Sequence, residues 1–226
     1  MKKKNLLLFC QLLATGLLVV LTFGCKKDNQ SMPTDADGNV YNTITIGTQT
    51  WFDENLKTTK LNDGTSIAYV TDVTEWINNL TGEYCWYNNE IANKNTYGAL
   101  YTWNVVKTGK LCPAGWHVPS DVEWNALISY LGGINDAGGK LKESGTTHWT
   151  SPNTGATDEV SFKALPGGYR STFGSFANIG IWTGWWSSTS YDASMSWMNG
   201  IANNAASSTM IIRQIQNGQS VRCIKN

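Results

Sequence analysis

Tryptophan is concentrated in one short stretch of this 226-residue chain, and its indole rings could contact a ligand. The segment "WTGWWSSTS", residues 182–190, contains three tryptophans. Sugar rings have apolar faces on which an exposed indole can stack, but a loop-rich protein also needs large rings in its core. Adjacent residues of an extended segment point to opposite faces. We therefore predict that one ring of the adjacent pair Trp185 and Trp186 enters the core while the other stays near the surface. Trp182 and Trp185, which flank Thr183 and Gly184, are the candidates for exposure to a ligand.

The two histidines are the candidate acid–base groups. His117 lies between Trp116 and Val118, where a packing or capping role is expected. His148 is next to Trp149, and this pair is the better candidate for a ligand-binding site. Catalysis by a histidine needs a nucleophile and an orienting group in a recognisable set, which the sequence lacks. We therefore predict no enzymatic activity.

Oxygen-bearing side chains in the C-terminal half offer either metal ligands or sugar-binding amides. The segment "SPNTGATDE" contains Asn153, Asp158 and Glu159, which are weak candidates for calcium ligands. The same composition is typical of a polar, turn-rich surface loop. The segment "WMNG" adds Asn199 as a ligand-binding candidate but has no following aspartate. We expect no bound cofactor.

The N-terminus has the pattern of an export signal. Three lysines precede the apolar run "NLLLFCQLLATGLLVVLTFG", and Gly24 is followed by Cys25 and a polar stretch. A small residue before a cysteine resembles the bacterial lipoprotein signal, in which the cysteine is lipidated. The apolar run is also long enough for a retained anchor, and plain secretion is a further alternative. The predicted organisation is a signal peptide at 1–24, a flexible tether at 25–38 that begins with the lipidated cysteine, and one domain at 39–226.

The charge balance and the lipid anchor define the expected partners. The chain has 17 basic and 17 acidic residues, and loss of residues 1–24 removes three lysines, which leaves 14 basic against 17 acidic side chains. The sequence has no basic stripe, so nucleic acid is not an expected partner. A lipid on Cys25 would attach the chain to a membrane. We therefore expect it at the outer membrane or cell surface.

The elements that must position these residues are short. Ser120 and Glu123 form a capping box, and apolar residues follow at helical spacing before Gly132, which predicts the clearest helix. A second, weaker helix is predicted in "YGALYTWNVVKTG". From Thr146 onward, short apolar runs between Gly, Ser, Thr and Asn indicate strands joined by long loops. The predicted fold class is α+β, with a few helices packed on short, mostly antiparallel strands.

Nine segments occur in an order that resembles one known family. They are "GTQTWFDENL", "NDGT", "YCWYNN", "NTYGALYTWNVV", "LCPAGWHVPSDVEW", "GGKLKESGTTHW", "LPGGYR", "WWSSTS" and "SVRCIKN". Together they resemble the Fibrobacter succinogenes major paralogous domain, from about residue 38 to the C-terminus. The resemblance implies a surface lipoprotein with a C-type-lectin-like fold, distantly similar to the sulfatase-modifying (formylglycine-generating) family. It also implies, from the central sheet of that domain, that Trp186 and Trp197 lie in the core. Enzymes of that wider group use a pair of cysteines near the C-terminus, where this chain has only Cys223.

Three cysteines remain besides the lipidated one, and an odd number predicts one disulfide and one buried thiol in an oxidising compartment. In C-type-lectin-like folds, which the resemblance implies, the terminal strand often returns beside the chain that enters the first major helix. That arrangement favours a Cys112–Cys223 bridge, with Cys85 unpaired. A Cys85–Cys112 bridge is the main alternative.

Three functions are compatible with these features. We predict a cell-surface module that binds a glycan or an extracellular protein through loops between residues 146 and 213. One alternative is a structural or assembly component of the cell envelope. The other is a binder diversified by a retroelement, since most residue types in "NGIANNAASSTMII" are reachable from asparagine codons by changes of adenine.

Overall fold

The computed structural model describes residues 32–78 and 80–226. Within them, Met32–Asn226 forms one compact unit with its own hydrophobic core, so we expect this unit to fold independently. The predicted signal peptide, the lipidation site Cys25 and the first part of the tether lie outside the described residues. No helix in the described ranges is long and apolar enough to cross a membrane.

The folded body begins earlier than the predicted domain start at residue 39. Asp35 is buried, and its carboxylate accepts hydrogen bonds from the backbone N–H of Asn39 at 2.9 Å and the hydroxyl of Tyr41 at 2.6 Å. Thr34 also pairs with Val40 in an antiparallel bridge. The residues from 32 to 38, which the sequence assigned to a flexible tether, are therefore part of the compact unit.

The secondary structure consists of short helices and mostly short strands. The α-helices in the described residues are α1 Val73–Asn78, α2 Lys94–Tyr97, α3 Trp103–Val106, α4 Asp121–Tyr130 and α5 Ala137–Leu141. Two 3₁₀ helices cover Tyr87–Asn89 and Ile91–Asn93. The strands are β1 Thr43–Ile46, β2 Gln49–Phe52, β3 Ala68–Tyr69, β4 Glu83–Cys85, β5 Leu100–Tyr101, β6 Trp116–His117, β7 Gly167–Arg170, β8 Phe176–Ile179, β9 Trp182–Ser190, β10 Met195–Ala202, β11 Ser208–Gln214 and β12 Ile224–Lys225.

These strands form three sheets, with the orders β1-β2-β12-β6, β11-β10-β9-β7-β8 and β3-β4-β5. Pairing within the sheets is antiparallel except between β3 and β4 and between β7 and β9. The α+β class predicted from the sequence is confirmed. The C-type-lectin-like arrangement stays a prediction.

Helix α4 follows the prediction closely. The Ser120 side chain accepts a hydrogen bond from the backbone N–H of Glu123, and the Glu123 carboxylate accepts one from the backbone N–H of Ser120. The helix buries Trp124, Leu127 and Ile128 on one face. The predicted capping box and apolar stripe therefore account for where this helix begins and which side it buries.

The second predicted helix is only partly correct. Its first half forms strand β5, because Tyr84 and Cys85 of β4 pair with Tyr101 and Leu100. Apart from Tyr97, which ends α2, only Trp103–Val106 is helical in this segment, and it forms a single turn. Long-range strand pairing therefore prevails over the helical spacing of the apolar residues here.

Strand β9 lies between two parts of the hydrophobic core. Trp186 belongs to one cluster of buried side chains, and Trp185 belongs to the other on the opposite face. The prediction that adjacent rings face opposite sides is confirmed, as is the burial of Trp186. The predicted exposure of Trp185 is wrong, because its ring stacks on Trp124 with centroids 5.7 Å apart and is fully buried. Trp197 was expected in the core but is only half-buried and packs edge-on against Tyr191.

The predicted Cys112–Cys223 disulfide is present, with the Cα atoms 6.0 Å apart. It lies where β12 pairs with β6, since Ile224 is opposite His117. The terminal strand therefore returns beside the segment that leads into α4, as expected. Cys85 is a free, buried thiol, and burial raises its pKa to about 12.

Glu83 is a buried carboxyl group on β4. Its side chain is fully shielded from solvent, and neither carboxyl oxygen has a hydrogen-bond partner among the described residues. Burial raises the pKa of Glu83 to about 8; the nearby Arg170 opposes this shift and Glu75 adds to it. Near neutral pH this carboxyl is therefore mostly protonated.

We expect the disulfide to contribute strongly to stability, because it links residues 111 positions apart in sequence. Replacing both Cys112 and Cys223 by alanine should lower the free energy of unfolding by about 4 kcal/mol. The measurement is urea denaturation of residues 32–226, with Cys85→Ala as the control for loss of a buried sulfur. A double variant as stable as the parent would contradict this role.

Glu83 should make stability dependent on pH. Because its folded-state pKa is above its unfolded value, its favourable contribution is complete in acid and is lost as pH rises towards about 8. Glu83→Gln should therefore match the parent near pH 4 and exceed it above pH 8 by on the order of 3 kcal/mol. Urea denaturation across this pH range measures the difference, and the exposed Glu90→Gln serves as control. Parallel pH profiles for the parent and Glu83→Gln would refute the prediction.

Candidate functional site

A cleft of about 380 Å³ on the surface is lined almost entirely by polar side chains, and we call it the polar cleft. Its lining residues are Asn42, Asp53, Glu54, Asn55, Asn95, Thr96, His148, Lys163, Leu165 and Arg222. They come from the segment around β2, from α2, from the loops before β7 and from the end of the chain. Amides, carboxylates and cations from distant parts of the sequence therefore meet at one place.

The buried part of the cleft is built from Arg222 and Asn55. The Arg222 guanidinium donates hydrogen bonds to the Asn55 side-chain oxygen through Nη2 at 3.0 Å and Nε at 3.3 Å, and a third to the carbonyl of Phe162. It lies over the Phe162 ring, 4.1 Å from the centroid. Burial lowers the pKa of Arg222 to about 9, which still leaves it charged at neutral pH. The result is a fixed cation beneath the cleft.

Asn55 also connects this cation to the core and to the rim. Its side-chain oxygen accepts a hydrogen bond from the indole N–H of Trp185 at 2.8 Å. Its amide nitrogen donates to the carbonyl of Tyr97 at 2.9 Å, which ties down the end of α2. The exposed rim residues Asn95 and Thr96 lie in that helix. The position of the rim therefore depends on a buried amide.

One wall carries a histidine–carboxylate pair and a lysine–carboxylate pair. The Nδ1 atom of His148 is 2.9 Å from a carboxylate oxygen of Glu143. Its Nε2 atom has no hydrogen-bond partner within the described residues. Lys163 donates to the carboxylate of Asp53 at 2.9 Å; the lysine side chain is 55% exposed and the aspartate only 9%. His148, predicted from the sequence as a site residue, thus lies in the cleft with one ring nitrogen free.

The two histidines have different surroundings. In the described residues, His148 forms no hydrogen bond to a serine, threonine or cysteine, so a nucleophile activated by this histidine is not assembled. His117 lies elsewhere, between Glu123 at 2.8 Å and Asn226 at 2.7 Å. It links the capping box of α4 to the C-terminus, in agreement with the packing or capping role predicted for it.

A second, smaller depression of about 240 Å³ lies beside Trp182, and we call it the Trp182 groove. Its lining residues are Trp182, Gly200, Ile201, Ala202, Ala205, Ser207, Thr209 and Ile211. The half-buried indole lies across the backbone of β9 and β10, and a Cβ atom on Gly184 would come within 2.3 Å of the ring. Trp182 is thus the one tryptophan of the quoted segment that lies at a surface depression.

Lys142 fixes one wall of the Trp182 groove from inside. Its side chain is fully buried, and its ammonium donates hydrogen bonds to the carbonyls of Thr154 at 2.8 Å, Ala202 at 3.0 Å and Ala205 at 2.8 Å. Burial lowers the pKa of Lys142 to about 8. The three N–H donors of one buried ammonium therefore join the loop at Thr154 to the end of β10 and the loop that follows it.

The remaining ligand-binding candidates from the sequence are not accessible. Trp149 is buried, and its indole N–H donates to the carbonyl of Ala164 at 2.8 Å. Asn199 is buried on β10, where its side-chain oxygen accepts a hydrogen bond from the hydroxyl of Ser208 at 2.6 Å. Both side chains are shielded from solvent, so neither is open to a ligand as the sequence had suggested. The amide nitrogen of Asn199 has no hydrogen-bond partner among the described residues.

The weak calcium candidates are held apart by other contacts. Asn153 is buried, and its amide nitrogen donates to the carbonyls of Glu143 and Gly145. The carboxylate of Asp158 accepts a hydrogen bond from the backbone N–H of Lys163 at 2.8 Å. Glu159 pairs with Lys140. Across the residues described, no group of three or more His, Cys, Asp or Glu side chains is placed to hold a metal ion.

Sequence reasoning missed the charged and amide residues of the cleft. Arg222 occurs in the alternating segment "SVRCI", where a charged residue suggests a solvent-facing position, yet it is 1% exposed. Asn55 and Asp53 occur in "WFDENL", a segment that suggested only family membership. One signal could have identified these residues. Charged and amide side chains occur in segments that were expected to lie beside a core strand, and such side chains must find partners when they are buried.

Comparison with known families gives one result. The model of the Fibrobacter succinogenes major domain matches residues 44–225, which includes strands from all three sheets and nine of the ten residues that line the polar cleft. No curated protein and no solved structure matches the chain.

Replacing Lys142 should loosen the loops that it joins. Lys142→Met keeps the apolar stem but leaves three carbonyls without their donor, so we expect a loss of about 2–4 kcal/mol in the free energy of unfolding. Amide hydrogen exchange at residues 202–207 should accelerate, whereas exchange in α4 should change only through the global loss of stability. Lys140→Met, two positions earlier at a partly exposed lysine, is the control. Unchanged exchange at residues 202–207 would contradict the clamping role.

Proposed function

We propose that this chain, which belongs to the Fibrobacter succinogenes major domain family, is a lipid-anchored module of the cell surface that binds a glycan without catalysis. The observation that carries the proposal is the polar cleft. Its lining combines hydrogen-bond donors and acceptors that are held in place by the core. The predicted lipoprotein signal with Cys25 gives the module its place at the outer membrane or cell surface.

The composition of the polar cleft suits a ligand rich in hydroxyl groups. Each hydroxyl both donates and accepts hydrogen bonds, and it is best matched by amides and by charged groups of both signs. The exposed side chains of Asn42, Asn95 and Thr96 form no hydrogen bond within the described residues and are available to a ligand. Asn55 and Arg222 behind them are rigid, so binding orders few side chains.

The Trp182 groove supports the same function as a secondary contact. A half-buried indole beside the hydroxyls of Ser207 and Thr209 offers an apolar face next to hydrogen-bonding groups. The return of β12 beside β6, with the disulfide, supports the C-type-lectin-like fold that the family resemblance implies. These contacts rely on protein groups alone, and we propose that binding needs no calcium.

A role in envelope assembly is the second candidate, and one apolar surface favours it. Phe173 in the β7–β8 turn is 76% exposed. It adjoins Gly174, which packs against Val73 of α1, and Ile77 follows one turn later on that helix. Val73 and Ile77 are 48% and 42% exposed, so a protein partner could cover them together with Phe173.

The retroelement-diversified alternative has less support. Within residues 199–212, Asn199, Ile201 and Ser208 are buried and pair across the central sheet. Diversification needs positions whose side chains can vary without loss of folding, and these cannot. Asn204 and Thr209 are the exposed positions between residues 199 and 212, which is a small variable surface.

The test is a glycan array with residues 32–226, followed by titration of the best ligand. The paired substitution Asn95→Ala and Thr96→Ala should weaken binding at least about fivefold, because it removes two hydrogen-bonding groups from the rim. His148→Ala should act in the same direction. Asn125→Ala, at an exposed asparagine of α4 outside both depressions, is the matched control and should bind like the parent.

Two outcomes would contradict the proposal. If no glycan binds and a protein partner is lost on Phe173→Ser, the assembly role replaces it. If a glycan binds but only Trp182→Ala weakens it, the site is the Trp182 groove and the polar cleft is not the binding surface.

A further inference from the structure

The carboxylates of the polar cleft are already paired with cations. Asp53 is 2.9 Å from the ammonium of Lys163, and Glu54 is 2.6 Å from the ammonium of Lys57. Both pairs lie at the side of the cleft and balance their own charge. The carboxylates of Asp53 and Glu54 therefore form no ion pair with any other cation of the cleft.

Arg222 is such a cation. A guanidinium carries five N–H donors, and the hydrogen bonds of Arg222 use three of them, on the side-chain oxygen of Asn55 and the carbonyl of Phe162. Its other N–H groups have no acceptor, and it forms no ion pair, in the described part of the chain. The carboxylates of Asp53, Glu54 and Asp158 favour the charged form of Arg222 from a distance, but none forms an ion pair with it. A buried charge without a contacting counterion is still costly, and a ligand that supplies an anion in direct contact reduces this cost.

The fully buried Arg170 provides a comparison within the same chain. It also donates to backbone carbonyls, at Val70, Thr71 and Gly174, and it stacks on Trp76. Arg170 lines neither the polar cleft nor the Trp182 groove. Arg170 therefore only joins segments of the fold. Arg222 joins segments as well, but it also borders an open cleft.

We infer that the ligand of the polar cleft is an acidic carbohydrate whose carboxylate binds Arg222. This inference rests on the proposed function and specifies its ligand. The planar fork of a guanidinium matches a carboxylate, which accepts two hydrogen bonds side by side. Lys163 lies at the exposed side of the cleft, and its ammonium has N–H donors left for the ligand besides the one bound to Asp53. The Nε2 atom of His148 and the amides of the rim are left for the hydroxyl groups of the sugar.

The test compares each acidic oligosaccharide with its own carboxyl-reduced, neutral form. Suitable pairs are trigalacturonate with its reduced galactose trimer, and oligomers of alginate and hyaluronan with theirs. Binding to residues 32–226 is measured by isothermal titration at low ionic strength. We expect at least one acidic member to bind about tenfold or more tightly than its reduced form, since hydrogen bonds to charged groups are the stronger ones.

Variants connect this preference to the cleft. Arg222→Met should reduce the acidic-to-neutral preference to near unity, and thermal unfolding establishes that the variant is folded. Lys163→Gln, at an exposed position, should lower the preference several-fold without loss of folding. Lys110→Gln is its matched control, because Lys110 is equally exposed and pairs with Asp63 at 2.8 Å outside the cleft. It should leave the preference unchanged.

The outcomes separate this inference from the proposed function. Reduced oligosaccharides that bind as well as the acidic ones, with sensitivity to the Asn95 and Thr96 substitutions, would overturn the acidic ligand and leave glycan binding intact. Preference for a sulfated glycan or an acidic peptide over every carboxylated sugar would also overturn it. Failure of every oligosaccharide to bind would refute the proposed function itself.

Discussion

The side-chain amide of Asn55 is the contact on which the candidate site depends. Its oxygen accepts hydrogen bonds from Trp185 on β9 and from Arg222 near the C-terminus, and its nitrogen holds Tyr97 at the end of α2. Three segments far apart in sequence are thereby fixed to the chain that follows β2. Loss of this amide would leave the Trp185 indole N–H and two N–H groups of the Arg222 guanidinium without acceptors. Both the packing of β9 and the cleft would therefore be weakened.

The rest of the molecule is organised around strand β9, which has a large buried ring on each face. Because both faces are covered, other elements must approach the sheet closely, and glycine provides the space. A Cβ atom on Gly138 of α5 would lie 2.2 Å from the carbonyl oxygen of Ser207, and one on Gly139 would lie 2.3 Å from that of Gly155. The adjacent segment "KLK" then supplies Lys142 to the same loops. The segment "GGKLK" is thus explained by close packing and by one buried cation.

The sequence predicted the elements that depend on local rules. The capping box of Ser120 and the helical spacing of the apolar residues after it determine α4. Successive side chains of a strand point to opposite faces, which determines that Trp185 and Trp186 lie on different sides of β9. The disulfide was predicted only through the resemblance to a family, because spacing alone left Cys85–Cys112 open. The helix and the facing of the two tryptophans depend on neighbours in sequence, and the disulfide depends on how the family brings the last strand beside the segment before α4.

Exposure could not be predicted in the same way. Trp185, Trp149 and Asn199 looked available because tryptophan and asparagine serve both in cores and in binding sites. Their burial depends on partners distant in sequence, such as Asn55 for Trp185. Arg222 was missed for the opposite reason, since a charged residue in a strand suggests solvent. His148 was singled out because it lies next to Trp149 in the sequence, and it lines the cleft although that tryptophan is buried.

The central claim is that a ligand binds over the buried Arg222–Asn55 pair and not over the Trp182 indole. Side-chain N–H resonances in nitrogen-15 NMR spectra report on these groups separately. Titration of residues 32–226 with trigalacturonate should shift the Arg222 Nε–H and Asn55 Nδ2 signals, and the Trp185 indole signal through its bond to Asn55. The Trp182 indole signal should stay in place. Shifts confined to Trp182, with Arg222 and Asn55 unchanged at saturation, would contradict the account.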